Sequence, residues 1–387
     1  MGLSIKVFNG EKEVYFGGVA ASNLLHDDTF VTVDIGGGST EFCFVKNGKI
    51  EKSISLNIGT VRIKELYFNK NNIDGAKKYI LDNLEKIFKL DVEIPKKVVG
   101  IGGSIRALSK LIMVKNEYPL DILHGFTYKV EDEIFLLNRI SKAKNCEDLK
   151  SFGIKKDRFD TIKEGSFIFK TILEELKTQT VVTSGVGVRE GVYLTDLLRN
   201  SNHKFPHNFN VSVKSLLDRF QIDEKQSAYF GNNAKKIFDS LKPFHKLDNK
   251  YKELLVVASK LNSIGSVLNF YKSNDNAFDF ILNGLNYDFL HTSRVIVAYT
   301  IKFSKKSLPS QEDILKHKDL LPSLEVVQWM SFMISLNIAI NQDFSRPKVE
   351  YVLENKTLKI NLPNKSFLIE SNIDKIETPQ DLILEIL

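Results

Sequence analysis

Residues 31–42, VTVDIGGGSTEF, constrain the fold more than any other stretch of this chain. An apolar, β-branched run at 29–35 enters three consecutive glycines and re-emerges as the alternating segment STEFCFV. Asn47-Gly48 follows, a strong signal for a two-residue hairpin, and KIEKSISLNIG returns as a third strand. The glycines therefore sit between two strands of one sheet. Next, DGAKKYILDNLEKIF places Ala76, Tyr79, Ile80, Leu84 and Ile87 on one helical face. KVVGIGG reads as a short strand with a helix opening near Ser104, and TVVTSGVGVREG as another buried strand before a helix at 192–198. Each later strand ends in a glycine-rich turn that opens a helix. Open α/β sheets bind ligands outside the carboxyl ends of their strands, where these turns lie. A nucleotide or phosphate cleft is the expectation.

The loop chemistry agrees. Gly36, Gly37 and Gly38 bring backbone N–H groups close to a ligand with no Cβ in the way, and Ser39 and Thr40 add hydroxyls. Successive N–H groups in such a turn make an anion-binding nest. There is no Gly-Lys-Ser/Thr, and no G-x-G-x-x-G opening a helix, so neither common nucleotide fingerprint applies. The alternative is a glycine-rich hairpin without a ligand. Asp34 and Glu41 bracket the loop at its two strand ends. Burying two carboxylates beside an anion site is costly unless a cation or a donor intervenes, and a hydrated Mg²⁺, which suits one or two carboxylates plus substrate oxygens, is the economical answer. The competing reading makes Glu41 a solvated strand residue.

With 387 residues the chain calls for two or three domains. Its net charge of +6 is mild and selects no partner class. Cys43 and Cys146 follow no metal-ligand or disulfide spacing, and Cys43 falls in an apolar strand pattern as a core thiol. The N-terminus has no signal-peptide layout. Met1-Gly2 begins like a myristoylation signal, but Lys6 stands where that signal takes Ser or Thr. The most apolar run, VVQWMSFMISLNIAI, is too short and too interrupted to span a bilayer. A cytoplasmic protein that binds neither membrane nor nucleic acid is expected. From 211 to about 341 helical stretches dominate, after a linker near Pro206; residues 348–369 alternate like two short strands around Asn355-Lys356, and a last helix is expected after Pro379.

Four segments in order, VDIGGGSTE, SLNIGTVRIKE, VVGIGGSIRALSK and TSGVGVREGV, resemble the exopolyphosphatase / guanosine pentaphosphate phosphohydrolase family. The resemblance runs from about residue 5 to 200, with a weaker match beyond. It implies an α/β, ribonuclease H-like domain of the actin, sugar-kinase and Hsp70 superfold, then an all-α HD-like domain and a small C-terminal α+β tail. The implied boundaries are 1–28 (remnant of a first ribonuclease H-like domain), 29–200, 208–345 and 346–387. Members of that family remove terminal phosphate from polyphosphate or pppGpp by attack of water. A glutamate in a segment resembling NGEKEVYFGGV activates that water, which makes Glu13 the candidate base; read alone, Glu13 is a helix-start glutamate favoured by the macrodipole. Arg62, Arg106 and Arg189 lie in separate motifs of the implied cleft and suit bidentate phosphate contacts, with surface ion pairs as the alternative. Gly102, Gly103, Gly185 and Gly187 are the implied remaining walls. A homodimer is also implied.

Two departures stand out. The family opens with a complete domain carrying an Asp-x-Gly-Ser-x-Ser loop, which this sequence lacks. A strand SIKVF would then present an open edge, and weak or no activity is expected of this chain alone. Where the HD-type module carries its metal-ligand pair, this chain reads Leu261-Asn262-Ser263-Ile264-Gly265, so no metal is expected there; His245 and His291 are isolated. Besides a hydrolase, the residues admit a non-catalytic phosphate or nucleotide sensor and, less favoured, a sugar- or acetate-type kinase.

Overall fold

The computed structural model describes residues 8–206, 209–363 and 366–387. The chain divides into two compact units, Met1–Phe209 and Asn210–Leu387. Most of the edge strand expected at 5–8 lies outside the described residues.

The first unit begins with α1 (Gly10–Leu24), capped by Asn9, whose side chain accepts the Lys12 N–H. Then come β1 (Phe30–Ile35), β2 (Thr40–Lys46), β3 (Lys49–Leu56), α2 (Thr60–Leu66) and α3 (Ile73–Phe88). After these follow β4 (Lys97–Ile101), α4 (Gly103–Lys115), β5 (Thr127–Lys129), α5 (Val130–Ser141), α6 (Cys146–Ser151), α7 (Ile162–Glu175), β6 (Thr180–Thr183) and α8 (Val188–Leu197). The six strands lie in the order β3-β2-β1-β4-β6-β5. The β1–β2 and β2–β3 pairs are antiparallel, whereas β1, β4 and β6 run parallel. This is the ribonuclease H-like layout expected from the sequence. The hairpin between β2 and β3 turns on Asn47 and Gly48, both at positive φ, as a two-residue primed turn requires.

Strand alternation divides the sheet into two faces. Val31, Val33 and Ile35 join the larger core with α3 through Ala76, Ile80, Leu84 and Ile87. The opposite face carries Phe30, Thr32 and Asp34, and its apolar core includes Val14 and Ala21 of α1, Val99 and Val182. Cys43 is fully buried there, and burial pushes its thiol up to about 12, so it is the inert core thiol expected. Residues 8–28, assigned from sequence to the remnant of a preceding domain, thus cover one face of this sheet. Their helix meets α8 at backbone distance: a Cβ on Gly191 would fall 1.9 Å from the Phe16 carbonyl oxygen.

The second unit contains α9 (Val211–Arg219), α10 (Glu224–His245), α11 (Asn249–Lys260), α12 (Ser273–Gly284), α13 (His291–Lys302), α14 (Gln311–Ile314) and α15 (Leu324–Ile340). This helical arrangement is compatible with an HD-like domain. α15 is buried on nearly every side, with Trp329, Met330 and Leu336 inaccessible to water, which explains its apolar sequence. Among the described residues no single helix is long and apolar enough to cross a membrane. His245 is a core residue whose Nδ1 accepts the Leu247 N–H, leaving Nε2 to donate to the Phe238 carbonyl. Asn262 donates its amide to the Ser259 carbonyl.

The tail forms β7 (Glu350–Glu354), β8 (Thr357–Asn361), α16 (Phe367–Ile373) and β9 (Ile383–Ile386). It does not stand apart as the sequence division suggested: Tyr351 Oη donates to Asn233 Oδ1 of α10, which in turn bonds Asn337 of α15. The helix expected after Pro379 is also corrected. Gln380 and Asp381 adopt left-handed φ values, which stop a single 3₁₀ turn before β9.

Candidate active site

The site stands at the carboxyl end of β1, where the ladder places Asp34 directly opposite Glu41. Glu41 in turn faces Ser55 of β3, whose hydroxyl donates to Glu41 Oε1 at 2.9 Å. Opposite residues share a face, and this face is the one beneath α1. A small cavity of about 30 Å³ opens there, lined by Glu13, Val14, Gly17, Thr32, Asp34, Glu41, Ile101 and Val188. The helix-start glutamate and the two strand-end acids therefore surround one space, although they are far apart in sequence.

The electrostatics are unfavourable to a bare carboxylate pair. Burial raises Asp34 to about 6, aided by the charges of Glu41 and Glu13 and opposed by Arg106. Burial also raises Glu41, against hydrogen bonds from Ser39 and Ser55. Among the described residues no group of three acidic, histidine or cysteine side chains has metal-ligating geometry. Mg²⁺ does not need one, since it binds through one or two carboxylates and keeps waters and phosphate oxygens. The cavity exceeds the roughly 10–15 Å³ that one water requires. The carboxylates of Asp34 and Glu41 are the donor type that ion takes.

The glycine loop is held from behind. Gly36 N–H closes on the Ser39 carbonyl. The carbonyls of Gly36 and Gly37 accept the N–H groups of Thr60, Val61 and Arg62, which begin α2. Arg62 Nε donates to the Gly38 carbonyl at 2.9 Å, fixing its guanidinium at the loop. Among the described residues no backbone acceptor takes the N–H groups of Gly37, Gly38 or Ser39. Carbonyls tied on one side and amides left on the other make an oriented anion nest. Gly59, not singled out in the sequence, makes this possible: a Cβ there would lie 2.2 Å from the Gly37 oxygen. Thr40 is corrected. It is fully buried and its hydroxyl bonds the Ile58 carbonyl, so it ties the loop to the segment before α2 rather than facing a ligand.

The other two turns close around this loop. Gly102, at φ +90°, lies so near Asp34 that a Cβ would stand 2.4 Å from Oδ1. Arg106 Nε donates to the Ser184 carbonyl, linking α4 to the β6–α8 turn beside Asp34. Gly185 donates its N–H to His124 Nδ1, so the other imidazole nitrogen donates to the Leu24 carbonyl and anchors the turn to α1. Gly187 donates to Glu190 Oε2. These two glycines therefore shape the wall and do not offer their amides. Arg189 extends into solvent with its side chain 89 % exposed, 3.9 Å from Glu190. Sequence reasoning missed Arg158, whose guanidinium lies against Gly103: a Cβ there would sit 2.6 Å from Nη1. Its polar linker carries no motif, so only the fold reveals the contact.

Comparison with known proteins gives a consistent picture. Residues 1–200 match the model of the Ppx/GppA phosphatase family. A guanosine-5'-triphosphate,3'-diphosphate pyrophosphatase from Photobacterium profundum is 24% identical over 329 residues, covering 80% of this chain and 62% of that protein. An Aquifex aeolicus Ppx/GppA family member of known structure shares 27% identity at a TM-score of 0.46, over 51% of this chain and 66% of its own. A Cytophaga hutchinsonii exopolyphosphatase shares 20% identity at a TM-score of 0.43, over 51% and 65%. The chain thus spans less than two thirds of the length of each of these relatives.

Proposed function

Because the chain belongs to the Ppx/GppA phosphatase family, we propose that it is a phosphohydrolase that removes the terminal phosphate of polyphosphate or pppGpp. The observation that carries this reading is the convergence of Glu13, Asp34 and Glu41 on one cavity beside an oriented glycine nest.

Phosphoryl transfer to water needs positioning, charge neutralisation and a base, with no covalent intermediate. The free amides of Gly37, Gly38 and Ser39 hold the terminal phosphate. Asp34 and Glu41 would hold Mg²⁺, which when bound would offset phosphate charge and their mutual repulsion. Glu13, exposed at the first turn of α1, takes the proton of the attacking water. Arg62, Arg106 and Arg158 add positive charge around the phosphates, while Arg189 reaches outward for a longer polyanion. A polyphosphate and a guanosine pentaphosphate present the same terminal group, so the supporting observations favour neither.

Phosphate release from both substrates with Mg²⁺ tests the reading, comparing the chain with Glu13→Gln. Release that Glu13→Gln lowers by about a hundredfold or more supports it, in line with loss of a general base. Binding of polyphosphate without release from either protein would favour the non-catalytic sensor instead.

A further inference from the structure

The helix that carries Glu13 is gripped by a part of the chain that the proposed chemistry does not use. α1 lies on the sheet through small residues: a Cβ on Gly18 would fall 2.4 Å from Cys43 Sγ, and Gly17, Ala20 and Ala21 are buried along the same helix. Such a seat limits how near the helix comes to the strands. It offers few interdigitating side chains to stop α1 sliding along its axis or turning about it. That restraint comes from residues 203–205, just after α8, in the stretch read from sequence as a linker near Pro206. His203 Nδ1 meets the hydroxyl of Tyr15, two residues beyond Glu13, at 2.6 Å. The His203 carbonyl accepts from Asn23 Nδ2 at 2.8 Å, and the Phe205 N–H donates to Asn23 Oδ1 at 3.1 Å. Lys204 Nζ donates to the Ser22 carbonyl at 2.6 Å. α1 has no basic residue in its own last turn, so Lys204 supplies the cation that a helix C-terminus favours.

The turn that brings these groups to α1 is strained. Asn202 and His203 both adopt left-handed φ, +53° and +57°, a conformation costly for residues with a Cβ and kept only where surrounding contacts hold it. We propose that residues 203–205 form a strap that positions Glu13, with His203 and Lys204 as positioning residues for the attack of water. The inference rests on the phosphohydrolase reading. The four hydrogen bonds reach α1 at Tyr15, Ser22 and Asn23, about two turns apart. Bonds spread in this way fix a helix both along its axis and in rotation. A general base must lie within hydrogen-bond reach of its water, and a misplacement of about 1 Å costs on the order of 100-fold in rate. The glycine nest is held by the start of α2 and not by α1. The strap therefore acts on kcat and leaves phosphate binding alone.

Steady-state phosphate release from polyphosphate with Mg²⁺ tests it on Tyr15→Phe, Lys204→Met and the double variant, each folded by circular dichroism. The double variant should lower kcat at least ~10-fold with KM within about twofold of the parent. Lys204→Arg, which keeps a donor, should recover most of the loss seen in Lys204→Met. Hydrogen exchange without substrate should quicken at residues 14–24 of α1 and stay unchanged at residues 30–45. An unchanged kcat in the double variant overturns the strap. So does a fall in kcat matched by a rise in KM, or exchange that quickens equally in both segments, since either marks general loosening. Should the double variant not fold, Tyr15→Phe alone, which removes one hydroxyl, is read by the same criteria. A parent that releases no phosphate overturns the hydrolase reading, and this assignment with it.

Discussion

Asp34 and Glu41 stand directly opposite each other across the β1–β2 ladder, and both carboxyls are pushed upward by burial. Holding two acids in this way costs stability, which the proposed cation would restore.

That cost is measurable. Asp34 has an ordinary value of 3.8 and stands at about 6 in the fold. The native state therefore binds the extra proton between these values, and stability falls as pH rises through 6. In EDTA at pH 8, Asp34→Asn should raise the thermal midpoint, with the unfolding free energy increased by up to about 3 kcal/mol, the equivalent of that shift. Adding Mg²⁺ should stabilise the parent protein and not the variant. Equal responses of both proteins to Mg²⁺ would place the cation elsewhere.

Gly59→Ala should disrupt the nest without replacing any proposed ligand. The added methyl meets the Gly37 carbonyl, so the start of α2 must withdraw from the loop. Overpacking of this kind costs about 1–3 kcal/mol. Calorimetric titration with polyphosphate should show binding lost even at temperatures where the variant remains folded. Retained affinity would mean that the loop amides are not the phosphate ligands.

Arg158 serves binding in this reading, so its loss should fall mainly on KM. Arg158→Ala should raise KM for polyphosphate roughly tenfold with kcat little changed, the signature of uniform binding. The salt dependence of KM should become shallower as well. A fall in kcat at constant KM would contradict the assignment.

The second unit should lose stability in acid. His317 is buried, with its Nδ1 at the Tyr299 hydroxyl, and burial together with Lys316 and Lys302 lowers it to about 4. Its contribution is complete above 6.5, and as pH falls from 6.5 towards 4 the unfolded chain takes up the proton first. His245 shifts in the same direction through burial. The thermal midpoint of His317→Gln should therefore depend less steeply on pH in this window than that of the parent.

The sequence made the frame of the site legible because that frame is local. A β-branched run, three glycines and Asn47-Gly48 each impose a conformation on their own neighbours. The bracketing acids could be read from the same loop, since strand period and hairpin register fix them opposite one another. Gly59, His124 and Arg158 were invisible for the complementary reason. Their roles depend on distant backbone that packing alone brings near, as with Arg158 and Gly103, 55 positions apart in the chain. Thr40 shows a third case. A hydroxyl in a glycine loop reads equally as ligand or fastener, and only its complete burial separates the two. Short β5 was missed because three residues carry no periodicity.

The close meeting of Gly191 with Phe16 has a consequence for how such a protein can diversify. Because Gly191 of α8 meets the main chain of Phe16 in α1, any side chain at position 191 would have to displace the helix that carries Glu13. Glu13 is fixed as a piece of scaffold is fixed. In the proposed reading, new substrate preferences come from exposed tips such as Arg189 and Arg158, while the helix that carries Glu13 remains a fixed datum against which the tips are adjusted.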